Sequence, residues 1–249
     1  MPSPFPPQLI QALRNARSVT VLTGAGISSE SGVPTFRDPQ AGLWSRFRPE
    51  DLANAAAFRR NPQLVWDWYA WRRSLVADVA PNVGHLALAK LEARVPEFTL
   101  LTQNVDGLHS RAGSRNVIEL HGSLMRNRCL DENVVVEPAA GDEGRPPKCP
   151  RCGGLLRPDV VWFGDPLAPA ALTAAQEAAV RCHLFFSVGT SSMVNPAAQL
   201  PMLALQGGAT VIEINPEPTR ISDAVHLSVR GAAGAVLSGL VMVAWPDAV

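Results

Sequence analysis

Residues 19–38 read VTVLTGAGISSESGVPTFRD, in which a β-branched apolar run leads directly into a glycine-rich turn. Glycine after a parallel strand lets the backbone come close to a phosphate, so that amide N–H groups and a helix N-terminus can bind the anion. Gly24, Ala25 and Gly26 are therefore candidates for binding a nucleotide diphosphate. However, the usual dinucleotide fingerprint has a third glycine where this chain has Ser29, and tight turns that bind nothing also require glycine. The motif alone leaves open both a structural turn and a nucleotide site.

The length and charge balance of the chain limit its class. At 249 residues it can bury one sizeable core, as one domain or as a large and a small domain. Lys+Arg and Asp+Glu both number 22, so no excess of basic residues favours nucleic acid or an anionic membrane. No apolar run approaches the roughly 18 residues of a membrane span, and the first residues lack a basic region followed by an apolar stretch. We expect a cytoplasmic globular protein with no nucleic-acid or membrane partner.

Short apolar, β-rich segments recur along the chain and predict strands. Most are separated by Ala- and Leu-rich segments with helical character, such as 85–94 and 196–205. Nearly continuous apolar strands that alternate with helices indicate a parallel sheet covered on both faces. We therefore predict an α/β fold with a doubly wound, Rossmann-like parallel sheet. The predicted strands are 19–22, 98–102, 117–120, 160–163, 184–188 and 210–214.

Two segments interrupt this alternation. Residues 39–82 are rich in Trp and Arg, and residues 125–158 lack periodicity and hold three of the four cysteines. Insertions that add no strand to the main sheet usually form a second lobe, and ligands favour the cleft between lobes. We predict a small domain that combines residues 39–82, a helical module, with residues 125–158, a zinc-ribbon-like module. The Rossmann-like domain would then comprise 1–38, 83–124 and 159–249.

Polar side chains follow one of the predicted strands at the edge where open α/β sheets bind ligands. Gln103, Asn104 and Asp106 come directly after the strand 98–102. Amide and carboxylate groups can fix ribose hydroxyls and a carboxamide. The alternative is ordinary turn chemistry, because Asn and Asp also bond their own backbone.

Other strand ends carry similar groups. His121 follows the strand 117–120 and precedes a glycine, and its titration range suits a general base that removes a proton from a hydroxyl, although most single histidines are structural or exposed. Gly189, Thr190 and Ser191 follow one later strand, and Asn215 follows the next. Four strand ends with polar or glycine residues at one edge favour a shared nucleotide site over four independent turns.

With these residues in place, the sequence closely resembles the sirtuin family. The matching segments occur in family order along nearly the whole chain, and together they are far more specific than any single motif. The resemblance implies NAD-dependent removal of an acyl group from lysine in a protein or peptide, with release of nicotinamide and formation of an O-acyl-ADP-ribose. The segments are GAGISSESGVPTFRD, TQNVDGLH, ELHGS, VVWFGD, VGTSS and EIN.

The resemblance also implies a role for each matching residue. The glycine turn would contact the NAD diphosphate, and Phe36 and Arg37 would lie in a loop over the nicotinamide. His121 would activate a ribose hydroxyl after the acyl oxygen has attacked the ribose carbon and displaced nicotinamide. The nicotinamide ribose and carboxamide would be held by Gln103, Asn104 and Asp106, and the adenosine half by Gly189, Thr190, Ser191, Asn215 and Ala233.

The acyl and peptide sites are predicted in the same way. Val161 and Phe163 lie in a segment that resembles the edge with which a substrate peptide pairs as an added strand. Tyr69 and Arg72 are three residues apart on a predicted helix face, a spacing that resembles the sirtuin branch that removes succinyl, malonyl and glutaryl groups. An arginine can bind the distal carboxylate with two parallel donors, whereas acetyl-lysine has no such carboxylate. Ala53 resembles the small residue that widens this acyl pocket, and Tyr69 and Arg72 would otherwise be ordinary residues of an amphipathic helix.

A zinc site is predicted with an incomplete set of cysteines. Sirtuins typically bind one structural zinc through two cysteine pairs, yet Cys129 is followed by Leu, Asp, Glu and Asn, and only Cys149 and Cys152 form an intact CxxC pair. Asp131 or Glu132 could complete a site with three thiolates and one carboxylate, because zinc accepts carboxylate oxygen. The sequence leaves open whether zinc is retained.

Three other functions are compatible with parts of the sequence. A nicotinamide-dependent dehydrogenase needs an acidic residue about 20 positions beyond the glycines, and Glu50 and Asp51 near that distance lie in a helix-start context. A non-catalytic nucleotide or zinc-ribbon binding module would account for CPRC but not for His121. Within the family, mono-ADP-ribosyl transfer to protein is the closer alternative, because another nucleophile can intercept the same activated ribose.

Overall fold

The computed structural model describes residues 5–34, 45–136 and 146–246. In chain order the strands are β1 (Ser18–Thr23), β2 (Glu97–Thr102), β3 (Val117–Glu119), β4 (Gly122–Cys129), β5 (Val135–Val136), β6 (Leu156–Val160), β7 (Leu184–Val188), β8 (Thr210–Ile214) and β9 (Leu227–Val229). The α-helices are α1 (Pro7–Asn15), α2 (Pro49–Leu52), α3 (Ala55–Arg60), α4 (Pro62–Ala77), α5 (Val83–Glu92), α6 (Leu108–Arg111), α7 (Pro169–Arg181), α8 (Leu200–Gln206) and α9 (Ala233–Ala244). Within the described ranges no helix is both long and apolar enough to cross a membrane.

Six strands form the main sheet in the order β3-β2-β1-β7-β8-β9, and every neighbouring pair is parallel. The chain moves outward from β1 in one direction through β2 and β3, then returns to the other side of β1 with β7. The predicted doubly wound parallel sheet is thus confirmed. Its switch point lies between β1 and β7, and ligands bind such sheets at the carboxyl ends of the strands beside that point.

Helices cover both faces of this sheet, which explains its nearly continuous apolar strands. Val19 and Val21 of β1 pack in one core with α1, α5 and α9, whereas Leu22 packs in a second core with α7 and α8. Because successive side chains of a strand point to opposite faces, one apolar run supplies both cores. The sheet is therefore held from both sides, and its strand ends are fixed.

Asparagine side chains set the starts of the helices that carry the site. Asn61 accepts a hydrogen bond from the Leu64 N–H at 3.1 Å, and Pro62 occupies the first turn of α4. Asn82 caps α5 and accepts from the Gly84 N–H at 2.9 Å. Such caps satisfy amide groups that have no partner inside the helix.

The second lobe has a core of its own, shared by both insertions. β4 pairs antiparallel with β5 and β6, and its Leu124 packs with the fully buried Phe58 and Trp68 of the helical insertion. Arg73 of α4 donates from Nε to the Leu124 carbonyl at 2.6 Å and from its guanidinium to Asn127 Oδ1 at 2.6 Å. These bonds tie α4 directly to β4. The two-domain division itself stays a proposal, and the small sheet extends to residues 122 and 160, beyond the predicted limits of 125 and 158.

One strand prediction was wrong, and one strand of the main sheet was not predicted. The predicted strand 160–163 belongs to β6, which ends at Val160 and pairs with β4 in the small sheet. The sixth strand of the main sheet is instead β9, which has only three half-buried residues. An apolar run indicates an extended segment but not the sheet that it joins. The buried Asp159 of β6 holds this strand in the small sheet, because its carboxylate pairs with Arg126 and Arg128 of β4 at 2.9 and 2.7 Å.

Candidate active site

The glycine turn after β1 packs against the turn after β7, backbone to backbone. Gly24 donates its N–H to the Val188 carbonyl at 3.0 Å, and Gly26 donates to the Gly189 carbonyl at 2.8 Å. A Cβ on Gly26 would lie 2.8 Å from Gly189 Cα, and Gly189 itself has a φ of +58°. These glycines are therefore required by the close approach of two strand ends, and they bring both turns to the switch point of the sheet.

Polar groups from four strand ends form one hydrogen-bonded chain. His121, which follows β3, lies with Nδ1 3.0 Å from the Gln103 carbonyl at the end of β2. The Gln103 amide donates to Thr190 Oγ1 at 2.9 Å, and the Asn215 amide donates to the Thr190 carbonyl at 2.8 Å. Residues that the sequence placed at separate strand ends thus line one edge of the sheet.

A second, buried group of polar residues lies beside the glycine turn. Asn104 donates from Nδ2 to the Gly24 carbonyl and to Ser28 Oγ, both at 3.1 Å. Ser28 donates in turn to Asp106 Oδ2 at 2.7 Å, and Asp106 Oδ1 accepts from the Leu108 N–H at 2.9 Å. Asn104, Asp106 and Ser28 are buried, so these bonds hold the groups in fixed orientations.

Sequence reasoning missed Ser28 and two histidines in this region. His85 Nε2 lies 3.4 Å from Ser28 Oγ, and the two imidazole rings of His85 and His109 are 4.8 Å apart. Burial lowers the pKa of both histidines, that of His109 to about 3, so both are neutral near pH 7. The sequence could have revealed Ser28 and His109, because they lie within the segments GAGISS and TQNVDGLH that carried the resemblance. It gave no such signal for His85, which follows the helix-capping Asn82 and reads as a helix-start residue; Asn82 accepts from the His85 N–H at 3.4 Å.

The environment of His121 suits a general base. Burial lowers its pKa below the ordinary value, although the hydrogen bond to the Gln103 carbonyl acts in the opposite direction. The neutral ring donates from Nδ1 to that carbonyl, because a carbonyl oxygen can only accept. Nε2 then keeps its lone pair and can accept a proton.

Tyr69 and Arg72 lie on α4 near the buried aromatic side chains of the second lobe. The Tyr69 hydroxyl is buried and accepts a hydrogen bond from Trp162 Nε1 at 2.9 Å. The Arg72 guanidinium lies 5.2 Å from the centre of the Trp68 ring. Burial raises the pKa of Tyr69 to about 12, and the charge of Arg72 opposes this. Burial likewise lowers the pKa of Arg72, whereas the charges of Tyr69 and Asp106 act in the opposite direction.

The segment after β6 connects this region to His121. The Val161 N–H donates to the His121 carbonyl at 2.9 Å, and the Phe163 N–H donates to the Ala53 carbonyl at 2.9 Å. Ala53 is buried, whereas Phe163 exposes about half of its side chain. Val161, Phe163 and Ala53 are therefore brought together with the catalytic candidate.

Three cysteines and one glutamate form a compact group in the small sheet. The ligand atoms of Cys129, Cys149, Cys152 and Glu132 all lie within 4.8 Å of one another. Asp131 does not belong to this group, although its carboxylate and the Cys152 Sγ both lie beside Gly154. Three thiols and a carboxylate fit the tetrahedral ligand set of zinc. Of the two acidic residues that the sequence offered, the geometry therefore favours Glu132.

The remaining predicted residues are placed as follows. Ser191 is half-buried next to Thr190, and Ala233 is the buried first residue of α9. Phe36 and Arg37 lie outside the described residues. Glu50 and Asp51, the acidic residues that a dehydrogenase would need at the end of the second strand, lie instead in α2, near the exposed Arg48.

A doubly wound sheet with polar side chains gathered at its switch point defines a nucleotide-binding α/β protein. The Sir2 family model matches residues 24–196. The chain therefore belongs to the Sir2 family, and the resemblance to sirtuins is confirmed.

Individual relatives agree with this assignment. The NAD-dependent protein deacylase of Ralstonia nicotianae is 52% identical over 235 residues, which cover 94% of this chain and 95% of the relative. The crystal structure of a Sir2 homologue in complex with NAD has 46% identity and a TM-score of 0.92, and covers 99% of this chain and 96% of that one. A mutant Sir2 homologue in complex with 2′-O-acetyl ADP ribose has 46% identity and a TM-score of 0.90, with 97% of both chains covered.

Proposed function

We propose that the chain is an NAD-dependent protein-lysine deacylase that prefers succinyl, malonyl or glutaryl groups and also removes acetyl. The observation that carries the acidic preference is the position of the buried Tyr69 and the half-buried Arg72 on one face of α4. The deacylase activity is supported by the Sir2 family match and by the name of the Ralstonia relative.

The residues at the switch point fit a bound NAD. The chemistry of the donor set is suited to it, because amides of Gln103 and Asn215 and the carboxylate of Asp106 can contact ribose hydroxyls and a carboxamide. NAD supplies a ribose carbon from which nicotinamide leaves. The protein has mainly to orient the acyl oxygen toward that carbon and to stabilise charge as it develops.

His121 then acts on a ribose hydroxyl. Its Nδ1–H is committed to the Gln103 carbonyl, so Nε2 is the nitrogen that accepts the proton. Because its pKa is lowered, the ring is neutral and ready to accept that proton at neutral pH. Once deprotonated, the hydroxyl would attack the acyl carbon, and the bond from that carbon to the lysine nitrogen would break as the amine leaves with a proton. Water would supply the oxygen that completes the O-acyl-ADP-ribose.

The acyl group would enter between Val161, Ala53 and α4. A carboxylate at its far end would meet the Arg72 guanidinium and the Tyr69 hydroxyl, which can donate three hydrogen bonds together. The substrate peptide would add a strand beside the segment 161–164. The N–H groups of Val161 and Phe163 already donate to the His121 and Ala53 carbonyls, and both main-chain groups of Trp162 contact Asp165. The peptide would therefore pair with the carbonyls of Val161 and Phe163.

Arg72→Met tests the acidic preference. We expect kcat/KM for a succinyl-lysine peptide to fall about 10- to 100-fold, since a charge-assisted hydrogen bond to the carboxylate is lost. Deacetylation of the same peptide should change little, because an acetyl group makes no such bond. The measurement is nicotinamide release with matched unmodified, acetyl- and succinyl-lysine peptides, and Arg59→Met, an exposed change on α3, is the control.

Equal losses with both acylated peptides would contradict the assignment of Arg72. Nicotinamide release with the unmodified peptide would favour ADP-ribosyl transfer or NAD hydrolysis over deacylation.

A further inference from the structure

The Tyr69 hydroxyl accepts one hydrogen bond through its oxygen, and its own hydrogen has no acceptor among the described residues. Its oxygen accepts from Trp162 Nε1 at 2.9 Å, and both side chains are 2% exposed. Among residues 5–34, 45–136 and 146–246, no group accepts the Tyr69 hydroxyl hydrogen. A phenol carries one hydrogen, and a buried polar hydrogen normally has a partner. The hydrogen of Tyr69 is therefore available to a ligand.

The same hydrogen stays in place over the working pH range. Burial raises the pKa of Tyr69 to about 12, so the phenol is protonated at neutral pH. The Trp162 N–H can only donate, which commits an oxygen lone pair of the phenol and leaves its O–H to point elsewhere. A phenol in this state can donate a hydrogen bond to a ligand.

The Trp162 ring is itself held in one orientation. The Arg157 guanidinium lies 4.1 Å from the ring centre and pairs with Asp165 at 2.9 Å. Phe58 packs against the ring with centroids 5.3 Å apart. These contacts restrict the direction of the indole N–H, because turning the ring would disturb its contacts with the guanidinium and with the second aromatic ring.

We propose that Trp162 is a positioning residue for acyl specificity. By donating to the Tyr69 oxygen, it aims the phenol hydrogen at a carboxylate on the distal end of the acyl group, beside Arg72. This inference rests on the proposed acidic-acyl activity and deepens it. A phenylalanine at position 162 would fill much of the same space but would supply no N–H, and the Tyr69 hydroxyl would then be free to turn its hydrogen away from the substrate.

A double-mutant cycle with Trp162→Phe and Tyr69→Phe tests the proposal. We expect Trp162→Phe to raise KM for a succinyl-lysine peptide and to lower kcat/KM about fivefold, which is the net effect of one hydrogen bond. The acetyl-lysine peptide should change less than about twofold. In the Tyr69→Phe background the second change should have no further effect on desuccinylation, because the group that Trp162 orients is gone.

Two controls separate positioning from packing. Trp66→Phe shortens another buried tryptophan of α4, which contacts Arg73 rather than the Tyr69 hydroxyl, and should leave the preference for succinyl unchanged. Benzothienylalanine at position 162 keeps the shape of the indole and replaces its N–H with sulfur, so it tests the donor even if Trp162→Phe fails to fold. It should reproduce the loss in desuccinylation.

Each outcome decides the matter. Equal losses with both peptides, additive losses in the double variant, or full desuccinylation with benzothienylalanine would overturn the role of Trp162. If Arg72→Met in that case still lowers kcat/KM for the succinyl-lysine peptide much more than for the acetyl-lysine peptide, the proposed function stands. If Arg72→Met lowers both peptides equally, the acidic-acyl activity fails and the role of Trp162 fails with it.

Discussion

At the scale of single residues, His121 depends on a bond that its neighbours make possible. Its Nδ1 lies 3.0 Å from a main-chain carbonyl, which no side-chain substitution at position 103 removes. The ring orientation is therefore set by the backbone at the end of β2. A general base must also be neutral, and burial lowers the pKa of His121, so the ring stays neutral at pH values where an exposed histidine would be charged.

The lowered pKa of His121 predicts the pH dependence of deacylation. A general base is active when neutral, so activity is present above its pKa in the folded protein and is lost as pH falls through it. Because burial lowers this pKa, the acid limb of the profile of kcat/KM should lie below pH 6.5. The measurement is a pH series of deacylation at low peptide concentration.

A variant at another histidine provides the control. His183 is exposed and precedes β7 at the opposite edge of the sheet, so His183→Asn should leave the limb where it is. An acid limb above pH 6.5, or an unchanged limb in a residually active His121→Gln variant, would contradict the assignment of the base.

Single residues were also where the sequence was most and least informative. Gln103, Asn104 and Asp106 could be found because a polar run directly after an apolar strand is typical of the ligand-binding edge of an α/β sheet. Trp162 could not, since one more tryptophan in an apolar segment looks like core. Its function depends on a contact with Tyr69, which is 93 positions away in the chain. No local pattern records such a pair.

At the scale of elements, the contact between the turns after β1 and β7 places the strictest demand on the sequence. A Cβ on Gly189 would lie 2.6 Å from the Ile27 N atom, and its φ of +58° is itself unfavourable for other residues. The sequence identified the first turn from its glycines. It could not show that these glycines face another glycine turn, because strand order is not visible in a local motif.

Gly189→Ala should disturb this contact. We expect a loss of unfolding free energy well above the roughly 1–2 kcal/mol of a left-handed residue alone, together with a higher KM for NAD, because the two turns must separate. Thermal unfolding and NAD titration of the deacylation rate measure both effects.

Gly208→Ala is a matched control. Gly208 also has a positive φ, +87°, but nothing lies within 4 Å of an added Cβ. The difference in unfolding free energy between the two variants isolates the effect of the steric clash at Gly189 from the effect of a positive φ. If Gly189→Ala is as stable as Gly208→Ala and binds NAD normally, the turns do not require the close approach.

Strands with an apolar run were predicted, including the half-buried β3, whereas β9, which reads Leu-Ser-Val, was missed. β1, β2, β7 and β8 are mostly buried and gave long apolar runs. β9 has three half-buried residues and lies at the edge of the sheet, so its signal was too weak. The strand predicted at 160–163 was displaced because its polar residues, which pair with β4, lie N-terminal to the apolar run.

At the scale of the whole molecule, the second lobe joins a helical and a cysteine-containing segment that are distant in sequence. Arg73 bonds α4 to β4, and Phe58 packs on Trp162. The proposed acyl site and the cysteine group are thus parts of one folded unit. The group fits zinc, which would stabilise the small sheet when bound.

Metal analysis can distinguish the two acidic residues after Cys129. Protein purified without chelator should contain about one zinc per chain, and Glu132→Gln should weaken binding by at least about tenfold, because a ligand is lost. Asp131→Asn, the neighbouring change of the same kind, should retain the metal. The measurements are zinc content and competition with a chelator.

A zinc content near zero in the unchanged protein would mean that packing alone holds this sheet. Loss of zinc in Asp131→Asn with retention in Glu132→Gln would exchange the roles of the two residues.

The adjacency of Arg72 and Arg73 limits how this lobe can evolve. Consecutive residues of an α-helix point about 100° apart, so Arg72 would reach the proposed acyl pocket while Arg73 bonds to the carbonyl of Leu124. Inserting one residue between them would rotate one half of the helix against the other and advance it about 1.5 Å. Either the pocket or the tie to β4 would lose its arginine. Homologues that keep both functions should therefore vary in length before or after α4, and not between Tyr69 and Arg73.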